Sequence, residues 1–599
     1  MFFTYLWQSS GLDHKDARER FVSILLKQCR LYKEAFGYEP SIKIKQIANI
    51  LIGQIQYETG IVGWEPWLDK GETGIIWGGV CENYLGEKMD TEEIDKIIKL
   101  LETSPKDLLS WNGMFSVISW DENKVLLTTA ATECPTLWHT EGPFGWASGP
   151  RGAPILEMAG TKAMPNKDAM GLYLLYGYFI GGHSPFQNVH RIQDRQQIII
   201  EKNANPIFQT YVSIKDFLTT DKVDRNWSEV VAFGAEHLVQ RVDKQMRHSL
   251  NPVVLLTGGR DSRAIAAAAK NTGKDFITAT SGSKDSQDVF IAAKVANKLD
   301  VLHRQGGEAA APALLIDSMD RLKLWTQINE GLLPIIFTLH MNDFLLSNLP
   351  FPAVREQYFH GHEPNIGRCL YYPGVAAEEL KTISLHEAHK FMTYKNRFLK
   401  HDLHVNDLLQ NMFSKYDSMI SETQDEVFTW FEFVYWRERG LSWGMDLQSV
   451  YSPNRWAWTP LFDRELLIAC RNLTVEQKRA GNFLVDVAKA LQPSLADIQW
   501  TSAYALSAEA KFSDRVRQRV TNELKHYLNK FRGTSTSDRA NIANQDLSKF
   551  WEQVFFSKAE GIWRDFITEK NLKLVIHISP YNDLLWRLAT IELFAETHF

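Results

Sequence analysis

Apolar residues recur along this chain with two alternating spacings, and the spacing changes mark its elements. Over 14–36, Phe21, Ile24, Leu25 and Leu31 fall toward one side of a 3.6-residue repeat, with lysine, arginine and glutamate elsewhere, which predicts an amphipathic helix packed on a core. A second helix is expected at about 91–103, opened by Thr91-Glu-Glu and carrying Ile94, Ile97, Ile98 and Leu101. Between and after these lie short strand-like runs at 74–80, 112–120, 125–128 and 144–149. The polar residues 121–124 make the second and third of these a hairpin. The chain to about 212 is therefore expected to be mainly β, with a few helices.

The pattern changes after the polar run 219–225, which sets a domain boundary near 210–225 and predicts domains at 1–212 and 213–599. A helix at about 226–248 carries Val230, Val231, Phe233, Leu238 and Val242. Residues 253–256 are continuously apolar, as suits a buried parallel strand. The alanine-rich stretch 264–270 has high helix propensity. A strand at 275–282, a helix at 286–299 and a strand at 301–303 continue the alternation, which predicts a parallel sheet with right-handed crossovers. Such sheets bind ligands at the carboxyl ends of their strands. A short strand at 356–359 comes next. The remainder is read as mostly helical, with helices at 431–443 and at about 583–596.

Bulk composition narrows the class. With 599 residues, 44% of them hydrophobic, the chain can bury two sizeable cores. A net charge of −6 without a long basic run argues against a nucleic-acid binder. The five cysteines (Cys29, Cys81, Cys134, Cys369, Cys470) are far apart and form no CxxC pair, so neither a zinc site nor a disulfide framework is expected. The first residues are apolar but no basic region precedes them, and Asp13 and Lys15 end the run too early for a signal peptide. The longest apolar stretch, 170–182, is too short to span a membrane. A cytoplasmic protein without nucleic-acid or membrane partners is expected.

The candidate chemistry centres on Leu256, Thr257, Gly258, Gly259, Asp261 and Ser262. Strand, glycine turn and helix make a phosphate cradle. Glycines let the backbone bend and approach an anion, and the helix N-terminus presents free N–H groups. Asp261 can hold a magnesium ion beside the phosphates. By itself the glycine pair also fits an ordinary strand-to-helix turn. The hexad resembles the Ser-Gly-Gly-x-Asp-Ser pyrophosphate loop of the N-type ATP pyrophosphatases, with Thr257 keeping the first hydroxyl. That resemblance implies cleavage of ATP between its α and β phosphates to activate a carboxylate. Ser281, at the end of the next strand, is expected beside the nucleotide. Asp288 reads equally as a site acid of this family or as a helix-start carboxylate.

A second anchor is the turn His360-Gly-His-Glu-Pro-Asn-Ile-Gly367. Asparagine synthetase-like enzymes have Gly-Glu-Gly-x-Asp-Glu-x-x-Gly-Gly here, which puts Glu363 in the place of their metal-binding aspartate and makes Gly361 a nucleotide contact. The resemblance casts His360 as a catalytic group. His360 and His362 read equally well as a loop pair. Residues 458–466 resemble the family's Pro-Phe-Leu-Asp segment, and the likeness covers about 226–506.

The first half, over roughly 60–200, resembles the glutaminase-like domain of asparagine synthetases, through Gly113, Phe115 and Asp121, Thr136-Leu-Trp138, and Trp146-Ala-Ser148. The chemistry of such a domain departs from the pattern. It needs an N-terminal cysteine where this chain has Phe2, and an Asn-Gly oxyanion segment where it has Trp77-Gly78. Arg151-Gly-Ala-Pro154 stands nearest to the family's Arg-Gly-Pro-Asp. Cys81 is read as a small apolar residue rather than a displaced nucleophile.

Together these imply an α/β protein: a degenerate Ntn-hydrolase-like αββα domain, then an ATP pyrophosphatase domain with a parallel sheet and a helical C-terminal part. The expected activity is ATP-dependent amide-bond formation through an acyl-adenylate, using ATP and Mg2+. The partners would be a small-molecule or peptide carboxylate and an amine, with a homodimer or a partner biosynthetic protein also expected. Peptide or lactam cyclisation without a glutaminase is one form, as in β-lactam synthetases and lasso-peptide cyclases. Glutamine-hydrolysing or ammonia-using asparagine synthesis is another. A nucleotide-thiolating or tRNA-modifying enzyme would need a basic face and a thiolate cysteine, neither of which is visible. A non-catalytic ATP-binding scaffold is the third class. It draws on one departure: relatives place a catalytic lysine just after the region matching 498–500, whereas here Thr501-Ser-Ala-Tyr follows. Either Lys511 reaches in, or Arg263 or another base substitutes, or the protein is slow or inactive.

Overall fold

A computed structural model describes residues 2–37, 39–57, 61–87, 89–218, 226–282, 286–306, 319–335, 356–362, 366–368, 398–400, 406–423, 434–446, 456–471, 473–480, 483–500, 547–557, 560–578 and 582–599. The first part contains strands β1 (Phe2–Ser9), β2 (Ser41–Ile47), β3 (Ile50–Gln56), β4 (Trp67–Asp69), β5 (Gly74–Trp77), β6 (Ser116–Trp120), β7 (Lys124–Thr129), β8 (Trp138–Gly142), β9 (Gly145–Gly149), β10 (His190–Arg191), β11 (Gln196–Glu201) and β12 (Ile207–Thr210). They form two antiparallel sheets, ordered β10-β8-β9-β1-β3-β2 and β12-β11-β7-β6-β5-β4. The predicted hairpin at 112–128 is β6 and β7, paired from Ser116↔Thr129 to Trp120↔Val125.

The sheets face each other. Leu6, Ile50 and Ile52 from one meet Ile76, Ile118, Trp120, Val125, Leu127, Ile198 and Ile200 from the other. Strand alternation sends Phe3, Tyr5 and Trp7 to the opposite side, where they join Phe21, Ile24 and Leu25 of helix α1 (His14–Phe36). Helix α1 starts where the Asp13 carboxylate accepts from the Asp16 amide and stops at Gly37 in the left-handed conformation. It approaches β3 so closely that a Cβ on Gly53 would lie 2.5 Å from Leu25. On the far side, Ile94, Ile97 and Leu101 of helix α2 (Thr91–Thr103) cover Ile75, Trp77 and Val117. The layers are therefore helix, sheet, sheet, helix. Helices α3 (Gly152–Ala159), α4 (Lys167–Tyr176) and α5 (Ile214–Leu218) complete this part.

Helix α6 (Trp227–Arg247) begins the second part with the reciprocal Asn226–Glu229 capping box. Strands β13 (Asn251–Leu255), β14 (Ile277–Ser281), β15 (His303–Gly306), β16 (Glu356–Phe359) and β17 (Ala457–Trp458) form one parallel sheet, ordered β15-β14-β13-β16-β17. Helix α7 (Arg260–Asn271) follows β13, and α8 (Gln287–Lys298) follows β14. Ala264 through Ala269 are completely buried, because α7 packs against both α6 and the helix Phe483–Leu491. The C-terminal helix runs Asp583–His598, close to its expected place.

Two expectations need correction. The third strand of the parallel sheet begins at His303, not Val301. Val301 is drawn into the turn that ends α8, where its amide donates to the Ala296 carbonyl. The helix expected at 431–443 is a π-helical segment, Tyr435–Gly444. Its wider turn presents Arg437, Glu438 and Gly444 to three different neighbours. Its first residues, 431–433, lie outside the described residues, as does the boundary run 219–225.

Candidate functional site

Strand order in the parallel sheet decides where a ligand can sit. From β13 the chain steps outward to β14 and β15, then returns to place β16 on the other side of β13. That reversal opens a crevice at the carboxyl ends of β13 and β16. Both sequence-predicted loops emerge there.

The first loop is held by its own side chains. Leu256 is buried; its amide donates to the Ala279 carbonyl at 2.9 Å, and its carbonyl accepts from the Thr280 hydroxyl. The Thr257 amide donates to Ser262 Oγ at 3.0 Å, and the Gly259 amide donates to Thr257 Oγ1 at 3.1 Å. The Gly258 amide donates to Asp288 of α8 at 3.1 Å, so Asp288 shapes the loop from the neighbouring unit. Gly259 is the N-cap of α7 and offers no side chain to cap its first amides. Ser281 stands at the exposed end of the adjoining strand β14.

The second loop leaves β16 and lies directly on the first. A Cβ on Gly361 would stand 2.8 Å from the Ser262 amide nitrogen and 3.1 Å from its Cα. The His360 amide donates to the Trp458 carbonyl at 2.9 Å. His360 Nδ1 accepts from the His362 amide at 2.9 Å, which leaves its proton on Nε2. Burial lowers the His360 pKa to about 4, so near neutrality the ring is an uncharged donor. His362 is buried between Trp443 and Phe462, with ring centroids at 5.2 and 6.1 Å, and burial, His360 and Arg439 push its pKa to about 3. Neither histidine serves as a cation at neutral pH.

Asp261 sits in the first turn of α7, between the two loops. Its Oδ1 is buried without a hydrogen-bond partner, while Oδ2 is 3.5 Å from Arg368. An orphaned carboxylate oxygen at a helix N-terminus suits a magnesium ion, which takes one or two protein carboxylates and fills its shell with water and phosphate oxygens. Among the described residues no cluster of three or more potential metal ligands occurs. Glu363, the expected second ligand, and Lys511 both lie outside the described residues.

Arg263, named as a substitute for the missing lysine, is directed elsewhere. Its guanidinium donates to the Ile498 carbonyl at 2.6 Å and the Gln499 carbonyl at 2.9 Å. It thereby ties residues 498 and 499 to α7. Sequence reasoning missed Arg368, which follows Gly367 and reaches Asp261; its signal was a cation immediately after the second glycine of the turn.

In the first domain Trp77 is wholly buried among Trp64, Tyr84, Trp111 and Phe115, with ring centroids 5.6–6.3 Å away. The Trp77 carbonyl accepts from Gln54 at 2.9 Å. Cys81 is also wholly buried, and burial pushes its thiol pKa far up, which keeps it protonated. The amides of Gly152 and Ala153, beside Arg151, donate to Glu330 of the second domain at 2.6 and 2.8 Å. No helix among the described residues is long and apolar enough to cross a membrane.

Comparison with known proteins bears on the region that holds the first loop. The model of the asparagine synthase family matches residues 234–320, which span α6, the first loop and α8. A curated relative from Methanocaldococcus jannaschii, named "Putative asparagine synthetase [glutamine-hydrolyzing] 2", is 24% identical over 226 residues, or 36% of this chain and 43% of the relative. The chain thus matches less than half of that relative's length. Among solved structures, the allosteric regulatory enzyme of purine biosynthesis aligns with 51% of this chain and 65% of its own, at 11% identity and a TM-score of 0.24. Glutamine phosphoribosylpyrophosphate amidotransferase from B. subtilis, complexed with ADP and GMP, aligns with 65% of this chain and 89% of its own, at 10% identity and a TM-score of 0.24. Scores that low leave the reading of this chain unchanged.

Proposed function

Because residues 234–320 match the model of the asparagine synthase family, we propose that the chain is an ATP-dependent carbon–nitrogen ligase that adenylates a carboxylate and passes the acyl group to an amine. The observation that carries this reading is the contact of Gly361 with Ser262, which brings two loops of different strands onto one crevice at the reversal of strand order. The N-terminus of α7 would take the phosphates, with Thr257 and Ser262 fixing the turn. Asp261 would hold magnesium, with Glu363 as its partner, and the metal would neutralise charge that builds on the phosphates. A carboxylate oxygen attacks the α-phosphorus and pyrophosphate leaves with the bond pair. The amine then attacks the acyl carbon, and AMP departs. His360, as a neutral donor at the crevice, would orient one of these oxygens.

The amine in this reading comes from solution or from the substrate itself, as in a cyclisation, with the first domain kept as a degenerate glutaminase-like scaffold. Trp77 and its aromatic neighbours support this by filling the oxyanion segment, and the burial of Cys81 removes the nearest thiol from solvent. A glutamine-hydrolysing enzyme is the second reading, favoured by the printed name of the archaeal relative.

The test is incubation of the full chain with ATP, magnesium and panels of carboxylic acids. Acid-dependent release of AMP and pyrophosphate, with acid-dependent exchange of labelled pyrophosphate into ATP, is expected. ADP and phosphate as products would contradict it. Glutamine hydrolysis that disappears in Cys81→Ala would establish the second reading instead.

A further inference from the structure

A guanidinium with all its nitrogens engaged lies between the two domains. Arg241 of α6 is buried, and it donates through Nε and Nη2 to Glu82 (2.9–3.3 Å) and through Nη2 to Glu133 (2.9 Å). Both acids belong to the first domain. Its Nη1 donates to the carbonyls of Pro460 (3.1 Å) and Phe462 (2.8 Å), in the segment that leaves β17. Asp463 sits 3.5 Å from the same nitrogen and starts the helix Arg464–Arg471 by accepting from the Leu466 amide.

The segment so held is the floor of the second loop. The Trp458 carbonyl receives the His360 amide, and the Phe462 ring stacks on His362. One residue away, Gly361 touches Ser262. An unbroken run of contacts therefore links two first-domain acids to the phosphate loop. Its links are an ion pair, two hydrogen-bonded carbonyls, a ring stack and a backbone contact. Packed interiors transmit such displacements because they deform little.

The charges are arranged to make this joint rigid. Burial, eased by Arg241, pushes the Glu133 carboxyl up to about 8, so one acid carries a proton near neutrality. Asp463 has a lowered pKa despite its burial, because His237 and Arg241 stand beside it. Breaking one partner of a buried group like this exposes the rest as unpaired charge, which makes the arrangement strongly all-or-none.

We infer that Glu82 and Glu133, acting through Arg241, are positioning residues that set the His360–His362 loop against the phosphate loop, so that the first domain serves the second as a fixed brace for its nucleotide site. This rests on the ligase reading for what the site binds, but the mechanical link can be tested without it. Arg241→Lys keeps the charge and loses the fork that spans acids and carbonyls. Phe462→Leu leaves the ion cluster intact and removes the ring against His362. Glu330→Gln weakens another buried contact between the domains, at α3, remote from the loops.

Hydrogen–deuterium exchange of the full-length chain is read over 356–362, and affinity is read for the magnesium complex of α,β-methylene-ATP. Arg241→Lys and Phe462→Leu should each speed exchange there and weaken the analogue by roughly tenfold, while Glu330→Gln leaves both near wild type. Unchanged exchange in the first two variants, or an equal effect in Glu330→Gln, overturns the brace. If the wild-type chain binds no analogue, the ligase reading falls, and the exchange result decides the brace alone.

Discussion

Gly361 and Ser262 stand so close that a single methyl group on the glycine would fall within 2.8 Å of the serine amide nitrogen. The neighbour there is backbone at the start of α7, which cannot swing away as a side chain would. Gly361→Ala should therefore push the two loops apart with little loss of global stability. A misplacement of about 1 Å can cost about 100-fold in rate, so a loss of up to that size is expected. Pyrophosphate exchange into ATP, compared with the thermal unfolding midpoint, checks this. A variant of wild-type activity would mean that the contact is not part of the site.

Asp261→Asn removes the charge at Oδ1 while keeping the shape. It should raise the magnesium concentration needed for half-maximal exchange and lower the maximal rate by an amount equivalent to about 3 kcal/mol. It also frees Arg368 from its ion pair. A magnesium titration of variant and wild type separates the two effects. An unchanged magnesium requirement would exclude Asp261 as a ligand.

His360 and His362 are held neutral by burial, with pKa values near 4 and 3 against about 6.5 in an unfolded chain. Between these values the unfolded state binds more protons, so stability rises with pH through the window and is lost as the pH falls from about 6.5 toward 4. Each histidine contributes on the order of 3 kcal/mol across that window. His139 and His598, also lowered to about 4 by burial, act in the same sense. Glu133, pushed up to about 8 by burial, acts in the opposite sense, so the rings are read directly: the His360 and His362 imidazole resonances should not titrate between pH 5 and 7, and a midpoint near 6.5 would show that these rings are not neutral in the fold.

Arg263→Ala should leave the phosphate loop folded but release 498–500, whose two carbonyls lose their charged donor. The expected result is faster hydrogen exchange and protease cleavage near 498–500, at a cost in stability of about 1.5–3 kcal/mol for the lost charged hydrogen bonds. Wild-type protection of this segment would mean that other contacts hold it.

Local rules carried much of the fold. Helices α1, α2 and α6, the hairpin of β6 and β7, and strand β16 could be placed from spacing and turn residues alone, because each of those signals acts within a few residues. Where placement failed, a longer-range effect had won. Val301 is apolar enough for a strand, yet the turn that closes α8 takes its amide. The residues after 434 have helical spacing, but packing against His362 and the first domain accompanies a wider turn.

The candidate site divides in the same way. Residues 256–262 announced a phosphate loop because strand, glycines and helix are consecutive, and Asp261 lies inside that run. Their partners come from far along the chain: Asp288 on Gly258, Arg368 on Asp261, Ile498 and Gln499 on Arg263. Glu82 and Glu133 looked like ordinary acids of a β-rich domain, and only folding puts them on Arg241. The sequence by itself determined which backbone could bend and where amides would be left free, since those are properties of neighbouring residues. The tertiary structure decided which charges meet, because a buried ion must find its counter-ion wherever the packing of two domains brings one.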